Sequence, residues 1–300
     1  MLLKTISFAL SFAATQAVDT LFAPEEDKFS LYMSAQMLNY TDYEMTLNGD
    51  VPSWVQGELV NASPTLFEIG KYTVNNYMDG FIRFTKYAIS GSSMTFSSKV
   101  VDDTKYYEAS TKAKEPQMML FDYPEPRRLA DHVPMMDMYW CRASDNHCDN
   151  IGIMPWMLPD KKTTIMTTDQ PQFLLFGKDD LSTGGFLEFA GEKDEKYGTQ
   201  SLGATHLVED VTTGDTLGLF TEMDMSITGM KKKITFYRIS SDDVHHRKKI
   251  GSIPIDAMNY YHSFGNTADF ILFPEIPVTF DTAKMMDAYP VQYCFQIHGN

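Results

Sequence analysis

Apolar and polar residues alternate with a period of two along most of the chain. The pattern is clear in "FIRFTKYAI" (81–89), "MTFSSKVV" (94–101), "TTIMTT" (163–168), "QFLLFG" (172–177), "GFLEFA" (185–190), "TLGLFTEM" (216–223), "KITFYRIS" (233–240) and "DFILFPE" (269–275). Successive side chains of an extended chain point to opposite faces, so these segments predict β-strands. Turn chemistry separates them at "SGSS", "STGG", "TTGD" and "GNTAD". Strands at short, even spacing with almost no helical pattern between them predict an all-β fold. They are too many for one small sandwich, and a propeller or large barrel accommodates them better. Helical periodicity is confined to 27–38 and 281–288. The stretch "NYYHSFGNTADFILFPEIP" (259–277) reads as two short strands around a polar turn, with His262 at the end of the first.

Three segments break the alternation: "EPQMMLFDYPEPRRL" (115–129), "HVPMMDMYWCR" (132–142) and "IGIMPWMLP" (151–159). Their prolines argue against central strands. They read either as loops packed over the core or as an adaptable apolar patch that touches a membrane or a greasy substrate. On the second reading, Met118, Met119, Leu120, Phe121, Met136, Trp140, Met154, Trp156 and Met157 share one partly exposed surface.

Composition narrows the field. With 300 residues and 43% hydrophobic content the chain is globular and can bury a sizeable core. A formal charge of −15 argues against nucleic acid as a partner, because phosphate binding needs clustered positive charge. The basic runs Lys231–Lys233 and His245–Lys249 read as solvated surface.

Residues 1–17 look like a secretory signal. Lys4 gives a positive start, Ile6 to Ala14 an apolar core, and Thr15 and Ala17 the small residues before a cleavage site. The mature chain would then begin near Val18, with an N-terminal segment to residue 50 ahead of the main domain at 51–300. Secretion, retention in the endoplasmic reticulum and onward delivery to a plastid all begin this way. Sequons at Asn39 and Asn61 suit that route. Cys141 and Cys148 enclose a polar loop and are expected to bridge, leaving Cys294 single and buried.

Of the seven histidines, His132 and His147 lie in loop-like segments, and His298 lies at the chain end. His245 and His246 are adjacent, so on a strand they point to opposite faces and cannot share a metal. His206 and His262 remain. Taken alone, either fits a hydrogen-bonded core residue better than a ligand, and spacing does not decide between the two.

Resemblance adds to this. "VPSWVQGELV" (51–60), "LFEIG" (66–70), "DGFIRFTKYAI" (79–89) and "YPEP" (123–126) resemble the N-terminal third of the carotenoid cleavage oxygenases. "GATHLVEDVTTGDTLGL" is similar to the segment carrying that family's first iron-ligating histidine, and "YYHSFGNTADFILFPEIPV" to the segment carrying the second. The resemblance implies a seven-bladed β-propeller, here about its first four blades, with Fe(II) on the axis held by four histidines. His206 and His262 would be two of them. It implies cleavage of a conjugated double bond of a carotenoid or apocarotenoid with O2, and peripheral contact with a membrane. Neutral imidazoles suit Fe(II) and leave positions open for O2. The family places a glutamate behind one ligand; here "TTDQPQ" puts the shorter Asp169 there. Other departures are "NASPT" at 61–65, "NNYMDG" before the third motif, and no proline after His206.

Three functions follow as expectations. The first is the Fe(II) dioxygenase, with the 300-residue chain itself inactive for want of two ligands. The second is a retinoid or polyene isomerase on the same iron centre. The third is a secreted propeller that binds an apolar ligand without catalysis.

Overall fold

The computed structural model describes residues 39–117, 150, 152–190, 195–197, 199–226, 229–274, 276–281 and 295–297. The signal segment, the helical patterns at 27–38 and beyond 281, all three cysteines, His132, His147, His298 and the apolar residues from Met118 to Trp140 lie outside them.

The first part holds β1 (Tyr40–Met45), β2 (Gln56–Leu66), a small hairpin of β3 (Glu68–Ile69) and β4 (Tyr72–Thr73), β5 (Phe81–Ser90), β6 (Ser93–Val100) and the helix α1 (Lys105–Ala113). Next come β7 (Met154–Met157), β8 (Thr164–Thr167), β9 (Leu174–Phe176) and β10 (Thr183–Phe186). The third group is β11 (Thr199–Gly203), β12 (Val208–Glu209), β13 (Thr216–Ser226), β14 (Gly229–Ser240) and β15 (Asp243–Ile255). Short pairs close the chain: β16 (Gly265–Asn266) with β17 (Ile271–Leu272), and β18 (Val278–Phe280) with β19 (Phe295–Ile297).

The main strands form three antiparallel sheets in the orders β1-β6-β5-β2, β10-β9-β8-β7 and β11-β13-β14-β15, with β12 also paired to β13. The sheets stack face to face, and period two does the sorting. Ile165 and Phe173 face the third sheet, packing with Leu207, Phe220, Tyr237 and Ile239. Their neighbours Met166 and Leu174 face the first sheet, packing with Ile82, Phe84 and Val101. In the third sheet Phe220 and Tyr237 turn back to the second, whereas Leu219 and Phe236 turn onward to Tyr261, Phe264 and Phe273. Each such side chain removed from water contributes about 1.5–3 kcal/mol, so both faces of the middle sheet are held. Tyr237 takes its place because Gly218 stands opposite it; a Cβ there would lie 2.2 Å from the tyrosine ring.

Several expectations need correction. "IGIMPWMLP" contains a strand, β7, at the edge of its sheet, where Pro155 costs no ladder bond. Pro64 and Pro254 likewise sit in edge strands. The strand near 185–190 runs instead over Thr183–Phe186, and of the described residues in 269–275 only Ile271–Leu272 forms a strand. The basic run 245–249 lies in β15, and Arg247 in it is buried. Helix α1 had no clear sequence stripe, since only Tyr106 and Ser110 of its nine residues are buried. Thr104 caps it by accepting from the Tyr107 N–H at 3.2 Å, and Lys114 ends it in the left-handed region.

Candidate metal centre

Beyond β8 the chain turns through Thr168 to Gln172 and runs against β11. The Thr167 hydroxyl, fully buried, lies 2.6 Å from the carbonyl of Thr205 and 3.1 Å from that of Met154, so it can donate to either. The Gly203 N–H donates to the Asp169 carbonyl at 2.9 Å. A Cβ at Gly203 would stand only 3.1 Å from the Gln170 carbonyl oxygen, so glycine permits this close approach. From β15, Arg247 donates to the Pro171 carbonyl at 2.7 Å and to Gln200 Oε1 at 3.0 Å, with its guanidinium 4.1 Å above the Phe189 ring. This buried cation bolts the Asp169 segment to β11.

His206 follows β11 and makes a parallel bridge to Ser263, its N–H donating to the His262 carbonyl at 3.2 Å. His262 does not end a strand. It lies in irregular chain between bridges at Asn259 and Ser263, which pair with different partners. The Tyr260 N–H donates to the Val278 carbonyl, which anchors the segment from its other side.

These segments bring His206, His262 and Asp169 together. The two rings present Nε2 to Nε2 at 3.1 Å, with centroids 4.7 Å apart and planes at 70°. Nδ1 of His262 lies 2.8 Å from Asp169 Oδ1. Thr205 Oγ1 donates to the same oxygen at 2.6 Å, and the Tyr260 hydroxyl donates to Oδ2 at 2.9 Å. The carboxylate only accepts, so the facing Nδ1 of His262 carries a proton, and in the neutral ring Nε2 keeps a lone pair.

The hydrogen bond to Asp169 raises the His262 pKa above its ordinary value, against partial burial. Burial, with His262 as a second cause, lowers that of His206. Burial and then the Asp169 charge push Tyr260 well up, so its hydroxyl remains a donor.

The separation of the two ring nitrogens is compatible with a shared metal ion. With bonds near 2.0–2.1 Å, two ring nitrogens on one ion lie about 2.9 Å apart at a right angle and about 3.4 Å at the tetrahedral angle. The observed separation falls between. It also lets one neutral ring donate to the other. Among the described residues no group of three or more histidine, cysteine, aspartate or glutamate side chains converges as a ligand set. Met154, Trp156 and Met157 share β7, and Met157 is exposed. Tyr260 and Thr205 escaped the sequence reading. Their signal was position: Thr205 adjoins one histidine, and Tyr260 precedes the other by two.

Residues 35–298 match the family model described as Retinal pigment epithelial membrane protein. The Beta,beta-carotene 15,15'-dioxygenase of Rattus norvegicus is 23% identical over 262 residues, covering 81% of this chain and 44% of that protein. Carotenoid cleavage dioxygenase 8 homolog B, chloroplastic, of Oryza sativa subsp. japonica is 21% identical over 260 residues, covering 85% and 42%. A Synechocystis apocarotenoid oxygenase variant has the same fold, with a TM-score of 0.66 at 18% identity over 89% of this chain and 53% of that one. The cobalt-substituted form of that oxygenase gives 0.64 at 17% identity, with the same coverage. The chain spans about half the length of the curated relatives it matches.

Proposed function

Because this chain belongs to the retinal pigment epithelial membrane protein family, whose curated relatives include carotenoid cleavage dioxygenases, we propose that it forms part of an Fe(II) dioxygenase acting on a carotenoid or apocarotenoid. One observation carries this reading: two imidazole Nε2 atoms face each other at 3.1 Å, and one ring is backed by a carboxylate. Fe(II), when bound, supplies the oxygen chemistry at a conjugated double bond.

In this reading His206 and His262 hold the metal, and Asp169 fixes the His262 ring. The three sheets are the first blades of a seven-bladed propeller, and residues 259–280 begin a fourth. The remaining ligands come from outside the described residues. Exposed Phe270 and Leu272, beside the site segment, provide apolar contact with the membrane in which the substrate dissolves. No helix of the described residues is long and apolar enough to cross a membrane. Entry into the secretory pathway is part of the same proposal.

The test is aerobic incubation with Fe(II) and a panel of carotenoids, following O2 uptake and products. Two imidazoles alone hold Fe(II) weakly, so turnover to aldehydes or ketones is expected only where further ligands complete the site. Isomerised product without O2 uptake would identify the isomerase instead. If the protein binds polyene but neither consumes O2 nor changes it, a binding role replaces both. Turnover by the 300-residue chain would make His298→Ala the next variant to measure.

A further inference from the structure

The carboxylate behind His262 is shared. Asp169 Oδ1 receives Thr205 Oγ1 at 2.6 Å as well as His262 Nδ1 at 2.8 Å, and Oδ2 receives the Tyr260 hydroxyl at 2.9 Å. The Tyr260 oxygen also lies 2.9 Å from His262 Nδ1, so the ring N–H points between two acceptors. The two hydroxyls come from different segments. Thr205 adjoins His206 and is fully buried, out of reach of competing water. Tyr260 shares the irregular segment of His262, and its ring lies 6.1 Å from that of Phe280. The Thr205 carbonyl is in turn within reach of the Thr167 hydroxyl, which fixes the backbone from which the side chain hangs.

We propose that Tyr260 and Thr205 are positioning residues, whose hydroxyls clamp Asp169 and thereby set both the tautomer of His262 and the spacing of the two imidazoles. A lone aspartate can rotate its carboxylate and present either oxygen. With one donor on each side of the group, both oxygens are occupied and the rotation is locked. The Nδ1–H of His262 then has one direction open to it, and the Nε2 lone pair is left facing His206. Because Thr205 moves with His206 and Tyr260 moves with His262, the carboxylate acts as a gauge between the two histidine-bearing segments. The use of that lone pair rests on the metal-centre reading above; the clamp itself does not, and it is tested with and without metal.

The test uses the full 300-residue chain labelled with 15N-histidine. At a pH high enough to keep the ring neutral, His262 of the metal-free protein is expected to show one tautomer, with a pyrrole-like Nδ1 and a pyridine-like Nε2. Combining Tyr260→Phe with Thr205→Val is expected to produce a mixture of tautomers. Co(II) titration followed by visible absorption reads the second consequence. Loss of a partner behind a ligand typically costs 10–100-fold in metal affinity, so each single variant is expected to lose about tenfold. Thr205→Ser keeps the hydroxyl and is expected to keep both the single tautomer and the affinity. If the double variant does not fold, Tyr260→Phe and Thr205→Ser decide, since one deletes a donor and the other retains it. A wild-type His262 protonated on Nε2 overturns the proposal. So does a folded Tyr260→Phe variant with the wild-type tautomer and wild-type Co(II) affinity. If Co(II) binds the wild type and His206→Ala equally while the tautomer shifts as expected, the metal reading fails and the clamp stands.

Discussion

Asp169 Oδ1 lies 2.8 Å from Nδ1 of His262, while Nε2 of the same ring faces His206 at 3.1 Å. One imidazole therefore joins a carboxylate to the candidate metal position, and the hydrogen bond falls on His262 rather than His206. Replacing Asp169 by alanine is expected to lower Co(II) affinity by about 10–100-fold. Replacing either histidine is expected to abolish binding in the same titration. Wild-type affinity in the Asp169→Ala variant would remove the carboxylate from the site.

The shorter side chain has its own consequence. Both carboxylate oxygens already stand 2.6 to 2.9 Å from their partners, and the backbone is drawn in by the Gly203 N–H. An Asp169→Glu variant adds a methylene between a backbone and a carboxylate that are both already held, and overpacking typically costs about 1–3 kcal/mol. The substitution toward the glutamate expected of the family should thus lower the unfolding midpoint in urea and weaken Co(II) binding. Equal or tighter binding would show that the pocket has room to spare.

The strands were legible where both faces of a sheet are buried by different neighbours. Ile165 and Met166, or Leu219 and Phe220, are adjacent in sequence and serve opposite interfaces, so the alternation survives in the local pattern. It failed at β7, where Pro155 suggested a loop, and at β15, where charged residues masked a strand of thirteen. The centre was legible only through resemblance. His206 and His262 sit on irregular chain, joined across 56 positions, and no period marks such a contact. Tyr260 was within reach of a simpler rule, since residues two apart in extended chain share a side.

Arg247 was the plainest misreading, a buried residue inside a run of charges. Its guanidinium lies over Phe189 and donates to Pro171 and Gln200, so deletion orphans a carbonyl and opens a cavity. Arg247→Ala is expected to cost about 3 kcal/mol in urea unfolding, from lost hydrogen bonds to a charged group and lost packing. The Asp169 segment should loosen with it, so Co(II) affinity should fall even at temperatures where the variant is folded. A cost under about 0.5 kcal/mol, the usual range for surface changes, would return Arg247 to the surface.

Four residues beyond His206 the chain enters a turn from Asp210 to Asp215. Asp210 Oδ1 accepts from the Thr212 hydroxyl at 2.6 Å and the Thr212 N–H at 2.9 Å, and Oδ2 accepts from Arg238 at 2.7 Å. The Thr212 bonds come first, and with the Arg238 charge they hold the carboxyl below the usual aspartate range. An aspartate in the unfolded chain titrates near about 3.9. The folded value is lower, so the stabilisation is fully present above that pH and is lost as the pH falls through the folded value. Asp210→Asn keeps the shape and removes the charge. It should be less stable than wild type by about 1.5 kcal/mol at pH 7, as for a hydrogen bond to a charged group. The gap should narrow as the pH is taken below 3.9, because protonation then removes the same charge from the wild type. Urea unfolding at pH 7, 5 and 3 measures this directly. A gap as wide at pH 3 as at pH 7 would mean that the amide disturbs the turn by its shape, and that the charge of Asp210 does not hold the chain beyond His206.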